Sequence, residues 1–256
     1  MNRPLSDQSF WDKYWNEEQR QGDPTDFIFN DLLKRYLPRG GSYFEVGCAP
    51  GTVMINFHRT FQYTVAGVDF SHVESTRNTL ASHGIEAAVI DADFTTMPID
   101  RQFDVVASWG FVEHFSNAGD IIKKQAQFVK PGGFLVVEVP NLTYFNGLIY
   151  RIFDKPLLDK HNRAIMHPAA LSGPIPADEF DIVFCNFYST NFLFFNFNNP
   201  AVASMRALKA FVRSAKFLFK LLRLDNIPNR FFSPYLILIA QRTLAAGDEP
   251  SEPGQG

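Results

Sequence analysis

Residues 43–57 read YFEVGCAPGTVMINF. A short apolar run carries an acid, Glu45, and breaks into a turn of small residues before a helical pattern begins. Gly47, Ala49 and Gly51 leave room for a ligand against the backbone, and the start of the next helix offers N–H groups with no partner inside it. Pro50 suits a helix start, where its missing N–H costs little. Outward from this turn, strand-like and helical runs alternate. Strand candidates are Tyr43–Val46, Thr64–Val68, Ala87–Ile90, Phe103–Ala107 and Phe134–Val139, with helix candidates at Val53–Phe61, Val73–His83 and Asn117–Val129. Strands rich in Val, Ile and Phe, separated by helices of about three turns, predict an α/β fold. Right-handed crossovers make it a doubly wound, mostly parallel sheet, which binds ligands beyond the carboxyl ends of its strands.

The flanks depart from this rhythm. The first forty residues read as helical, SFWDKYWNEEQRQ and TDFIFNDLLKRYL, separated by Gly22-Asp23-Pro24. Asn141–Gly173 is a mixed segment too long for a simple loop. A strand over Phe180–Tyr188, a long helix from about Ala201 to Leu224 and a last strand over Tyr235–Gln241 follow, and residues 245–256 have the composition of a disordered tail. The net charge of −3 gives no pull toward nucleic acid. Cys48 and Cys185 match no zinc or redox spacing, and no run reaches the length of a spanning helix, so a soluble cytoplasmic protein is expected.

A dinucleotide turn requires G-x-G-x-x-G. Counted from Gly47, this chain has Ala49 and Thr52 at the second and third positions, and Glu45 would stand awkwardly beside a pyrophosphate. A carboxylate there suits a cationic ligand such as S-adenosylmethionine, with its ammonium and sulfonium. The chain from about Tyr43 to Asn141 resembles the class I S-adenosylmethionine-dependent methyltransferases. FEVGCAPG is similar to their first motif, with Ala49 in place of the middle glycine. VAGVDFS resembles the second and puts Asp69 at a strand end, 22 residues after Gly47. VIDADFTTMP, FDVVASWGFVEHF and FVKPGGFLVVEVPN resemble the segments that follow.

The resemblance implies a Rossmann-like, seven-stranded sheet with a helical insertion before the last strands. It implies one domain over 1–244, with an N-terminal helical cap at 1–40, a substrate-side insertion at 141–173 and a basic amphipathic helix at 201–224. S-adenosylmethionine is the implied cofactor, met by Tyr14, Glu45, Gly47, Cys48, Ala49, Gly51, Asp69, Phe70, Asp93, Phe94 and Trp109. Asp69 would accept the ribose hydroxyls, Asp93 would meet the adenine amino group, and Phe94 would pack on the adenine ring. Asp69 and Asp93 also read as turn or helix caps, and Trp109 as a core aromatic.

Methylation of a hydroxyl calls for a base, whereas an amine can arrive deprotonated. Glu113, His114, His161 and His167 are candidates, with His114 and His167 preferred. VEHF is similar to the ubiquinone-pathway O-methyltransferases, in which an acid, a second acid three residues on and the next histidine are linked to a metal. Gly110 holds the first position here, so no metal is expected. The expected acceptor is a small molecule methylated on oxygen, and no nucleic-acid partner is expected. N- or C-methylation, a catalytically silent cofactor-binding partner and a nicotinamide-dependent oxidoreductase are the alternatives. Six basic residues of Met205–Leu224, spaced three and four apart, fall on one helical stripe opposite an apolar side. That helix packs on its own domain or a second copy, or meets an anionic membrane or a lipid-linked, hydrophobic acceptor.

Overall fold

A computed structural model of the chain describes residues 24–189 and 227–244, together with Leu5 and scattered positions between 210 and 221. Tyr14, the helix around Trp11–Trp15, most of the 201–224 helix and the 245–256 tail lie outside the described residues.

Seven strands form one sheet in the order β3-β2-β1-β4-β5-β7-β6. They are β1 Ser42–Val46, β2 Thr64–Asp69, β3 Ala88–Asp91, β4 Phe103–Trp109, β5 Val129–Pro140, β6 Phe180–Tyr188 and β7 Tyr235–Arg242. Strands β1 to β5 pair in parallel, and β7 runs antiparallel between β5 and β6. Because side chains alternate along a strand, each strand feeds two cores. Phe44 and Val46 enter one, with Val106, Val137 and Leu238, while Tyr43 enters the other with Phe57, Val105 and Ile239. Both faces are covered, which explains why these strands read as continuous apolar runs.

Helices Thr52–Phe61, Val73–Ser82 and Ala118–Gln127 fall within a residue or two of their sequence expectations. Two expectations fail. The helix expected over TDFIFNDLLKRYL is one turn, Asn30–Leu33. The Asn30 side chain folds back to Thr25 O at 2.8 Å and also pairs with Asn56. The preceding Phe27 and Phe29 stay out of helix and lay their rings on Trp109, with centroids 4.9 and 5.4 Å away. Secondly, the strand expected over Phe134–Val139 begins earlier, at Val129, so that Gly132 and Gly133 belong to it. Gly132 has φ +77°, and the register shifts opposite Phe103 and Val105, the mark of a bulge that lengthens the strand.

The 141–173 segment is helical: Tyr144–Phe153, Lys155–Leu158, a 3-10 turn at Arg163–Ile165, and Pro168–Ser172. Asp154 and Asn162 cap two of these pieces by accepting the N–H of Leu157 and Ala164.

Candidate active site

The strand order reverses between β1 and β4, and a cavity of about 400 Å³ opens there at the carboxyl ends of β1, β2, β4 and β5. One wall is the turn after β1. Gly47 holds φ +78°, and a Cβ on it would come within 2.6 Å of the Phe111 ring, so the turn is compatible only with glycine. Gly51, at φ +92°, caps the helix Thr52–Phe61.

Glu45 is buried at the mouth of this turn. Tyr43, two residues earlier on the same strand face, donates its hydroxyl to Glu45 Oε2 at 2.7 Å. The Trp109 indole N–H donates in turn to the Tyr43 oxygen at 3.0 Å. Burial, and then the neighbouring Glu45 charge, hold the Tyr43 phenol well above its ordinary range, so it stays a donor. Asp69, at the end of β2, accepts the N–H of Ala49 at 3.0 Å and of Ser71 at 2.9 Å. It is therefore both a turn cap and a cavity wall. Burial raises its pKa, against the pull of those backbone donors.

Ala49, Phe70 and Trp109 also line the cavity. Cys48 does not: its side chain fills the space that Gly67 leaves by having no Cβ, and burial pushes its thiol up. Asp93 and Phe94 are not on the wall either. Asp93 is exposed and accepts the N–H of Thr95, while Phe94 is buried in the core among Phe111 and Phe128. Those placements differ from the roles expected for them.

The opposite wall is the 3-10 turn Val112–His114 together with the insertion. Glu113 is 1 % exposed, and its Oε2 has no hydrogen-bond partner among the described residues. His114 Nε2 lies 3.7 Å from Glu113 Oε1. His161 arrives from the insertion, and the two imidazole centroids are 4.6 Å apart. Asn162 fastens the segment by donating its N–H to Glu113 O at 2.6 Å and its side chain to Phe115 O at 3.0 Å. The N–H of Leu5 reaches His114 O at 2.7 Å. Burial, and then the charge of Glu138, raise the Glu113 carboxyl well above its usual range, and burial holds both imidazoles below theirs. His167 is not part of this wall. It is exposed at the start of the helix Pro168–Ser172, and His161 takes the place expected for it.

Sequence reasoning missed Phe27, Phe111, Glu138 and Tyr235, all on the wall. Glu138 was findable, since it is a lone acid ending an apolar strand, as Glu45 is. Asp26, Glu45, Asp69, Glu113 and Glu138 line the cavity, and no Lys or Arg does among the described residues. The acid wall and the glycine cradle fit a cationic cofactor.

A sheet of this order with such a cavity at its switch point is the fold of the Rossmann-like S-adenosylmethionine-dependent methyltransferases. Magnesium protoporphyrin IX methyltransferase from Synechocystis, solved with bound SAH, aligns with a TM-score of 0.57 at 14% identity, over 92% of this chain and 95% of that one. Coclaurine N-methyltransferase, bound to N-methylheliamine and SAH, aligns with a TM-score of 0.53 at 15% identity, over 83% and 71%. The chain belongs to the methyltransferase-domain family, whose model matches residues 16–190. In sequence it is 26% identical over 139 residues to the mitochondrial ubiquinone biosynthesis O-methyltransferase of Dictyostelium discoideum, covering 46% of this chain and 42% of that one. It is 27% identical over 135 residues to the (S)-coclaurine N-methyltransferase of Papaver somniferum, covering 49% and 37%. The aligned regions thus span less than half the length of either curated relative.

Proposed function

We propose that this chain methylates a small-molecule acceptor on a hydroxyl oxygen, with S-adenosylmethionine as donor. The observation that carries the reading is the Glu113–His114–His161 cluster, set in the same cavity as the acid-lined glycine turn. When bound, the cofactor supplies an activated methyl group. Glu45 and Asp69 hold its cationic and hydroxyl groups. Phe27 and Trp109, packed edge to face, keep water from one side. Tyr150 and Leu157 of the insertion shape an apolar acceptor space beside the cluster. A hydroxyl must lose its proton as the bond to carbon forms, and two neutral imidazoles, His114 buried and His161 half-buried, are groups that manage this.

The test is product formation with phenol, alcohol and amine acceptors, with SAH binding followed by calorimetry. Methylated hydroxyl products are expected. Methylation of amines alone would overturn the choice of oxygen. SAH binding with no product from any acceptor would leave the silent cofactor-binding protein. An absence of SAH binding would defeat the whole reading.

We also propose that the basic stretch Met205–Leu224 meets anionic lipid, which would bring the cavity to a hydrophobic acceptor. Two of its described residues support this: Phe217 is 69% and Leu221 67% exposed, apolar groups beside a cationic stripe. Binding to anionic vesicles should fall with added salt and with charge reversal at Lys209, Arg213 and Lys216. Equal, negligible sedimentation with anionic and neutral vesicles would refute it.

A further inference from the structure

We propose that Glu113, His114 and His161 bind one divalent transition-metal ion on the acceptor wall of the cavity. One ligand atom from each of the three residues lies within 4.8 Å of the other two. Around a tetrahedral zinc ion, ligand atoms stand roughly 3.4 Å apart, so the 3.7 Å pair of His114 and Glu113 is nearly in place. The third, within 4.8 Å of the others, has about 1.4 Å or less to close.

The hydrogen bonds decide what these groups present to one another. His161 Nδ1 lies 2.7 Å from Leu157 O, and His114 Nδ1 lies 3.3 Å from Lys160 O. A carbonyl only accepts, so each ring carries its proton on Nδ1 and offers an electron pair at Nε2. A backbone carbonyl behind the distal nitrogen is how a metal-binding imidazole is commonly oriented. Glu113 adds an acceptor oxygen, Oε2, that is buried and has no hydrogen-bond partner among the described residues. Two imidazole nitrogens and a carboxyl oxygen therefore converge on one point of the cavity wall, and a divalent cation held there would displace the proton that the carboxyl carries without it.

Two imidazoles and one carboxylate suit zinc, iron(II), cobalt(II) or manganese(II) better than magnesium or calcium, which prefer all-oxygen sets. Three protein ligands leave coordination positions open toward the cavity. The ligand set departs from the acid, acid and histidine pattern described above, since Gly110 offers no side chain and the third ligand comes from the insertion, 47 residues after His114. The role of the ion rests on the hydroxyl reading above. An acceptor oxygen held at the open position would have its pKa lowered, so that its proton could leave to water, and the imidazoles, bases without the ion, would serve as ligands with it. The binding itself rests on geometry alone.

The test uses the full chain without a histidine tag, stripped with EDTA and titrated with cobalt(II) under visible spectroscopy. The expected result is one ion per chain, a ligand-field band, and loss of that band on adding zinc. His161→Ala and Glu113→Gln should each weaken cobalt binding at least about tenfold. His167→Ala should bind as the unaltered chain does. SAH affinity within about twofold of the unaltered chain shows that each variant is folded. No cobalt band in the unaltered chain, or an identical titration for His161→Ala, overturns the proposal. SAH binding without the band defeats this inference alone, whereas the band without SAH binding upholds it and defeats the methyl-transfer reading.

Discussion

The two walls of the cavity treat their buried acids in opposite ways. On the glycine-turn wall, Glu45 takes the Tyr43 hydroxyl, and each oxygen of Asp69 takes a backbone N–H. Those donors come from the same strand or the adjoining turns, so the carboxylates are aimed before any ligand arrives. On the insertion wall, Glu113 has a buried oxygen with no hydrogen-bond partner among the described residues, facing two imidazoles. An unmet buried polar atom costs about 1–3 kcal/mol, a cost that folding alone has no reason to retain. The difference separates holding from reacting. One wall meets its acids with donors of its own, and the other leaves an oxygen of Glu113 unmet among the described residues, beside two imidazoles.

The largest effect that would sharpen this contrast is on turnover. His114→Ala should reduce kcat by about 10²–10⁴-fold while the SAH dissociation constant stays within about twofold. If affinity fell along with rate, the two walls would not be separable. Next in size is the loss of a satisfied acid. Asp69→Ala and Glu45→Ala should each weaken SAH binding by about 1.5–3 kcal/mol, roughly ten- to 150-fold, in calorimetric titration. Affinity should also fall with pH in the unaltered chain. Since the Asp69 pKa is raised in the folded state, its charge, and the binding that needs it, should be lost at a pH above the ordinary carboxylate range. Unchanged affinity in both variants would remove these residues from the site. The smallest effect is on stability. Tyr43→Phe leaves the Trp109 N–H without its acceptor and Glu45 without its donor, which should cost about 1–3 kcal/mol. For a chain of this size that lowers Tm by a few degrees per kcal/mol, readable by calorimetry.

The strands were legible because burial on both faces leaves a strong local signature, and Phe180–Tyr188 matches its expected limits. The turn after β1 was legible for a related reason: the positive φ of Gly47 and Gly51, and the Phe111 ring against Gly47, restrict it to small residues. Asp69 and Glu45 were readable from their positions at strand ends. Asp93 sits at the corresponding end of β3, but its carboxylate turns back to Thr95, a choice made by local turn chemistry. His161 and His167 are six residues apart in an irregular segment, and nothing in their spacing says which one faces the cavity. That depends on Asn162, whose bonds to the 112–116 region are long-range.

The seam that joins the insertion to the rest of the protein is made largely of main chain. Asn162 grips the carbonyls of Glu113, Phe115 and Ser116, and Leu5 grips that of His114. A peptide carbonyl is present whatever side chain its residue carries. The cavity-facing side chains of Tyr150 and Leu157 make none of these four bonds, although both pack on the same apolar core. Apolar-for-apolar drift at those positions therefore alters which molecule is welcomed without breaking the bonds that hold the segment. A lineage built this way inherits its scaffold and its selectivity separately, so relatives can share the frame and differ in what they modify.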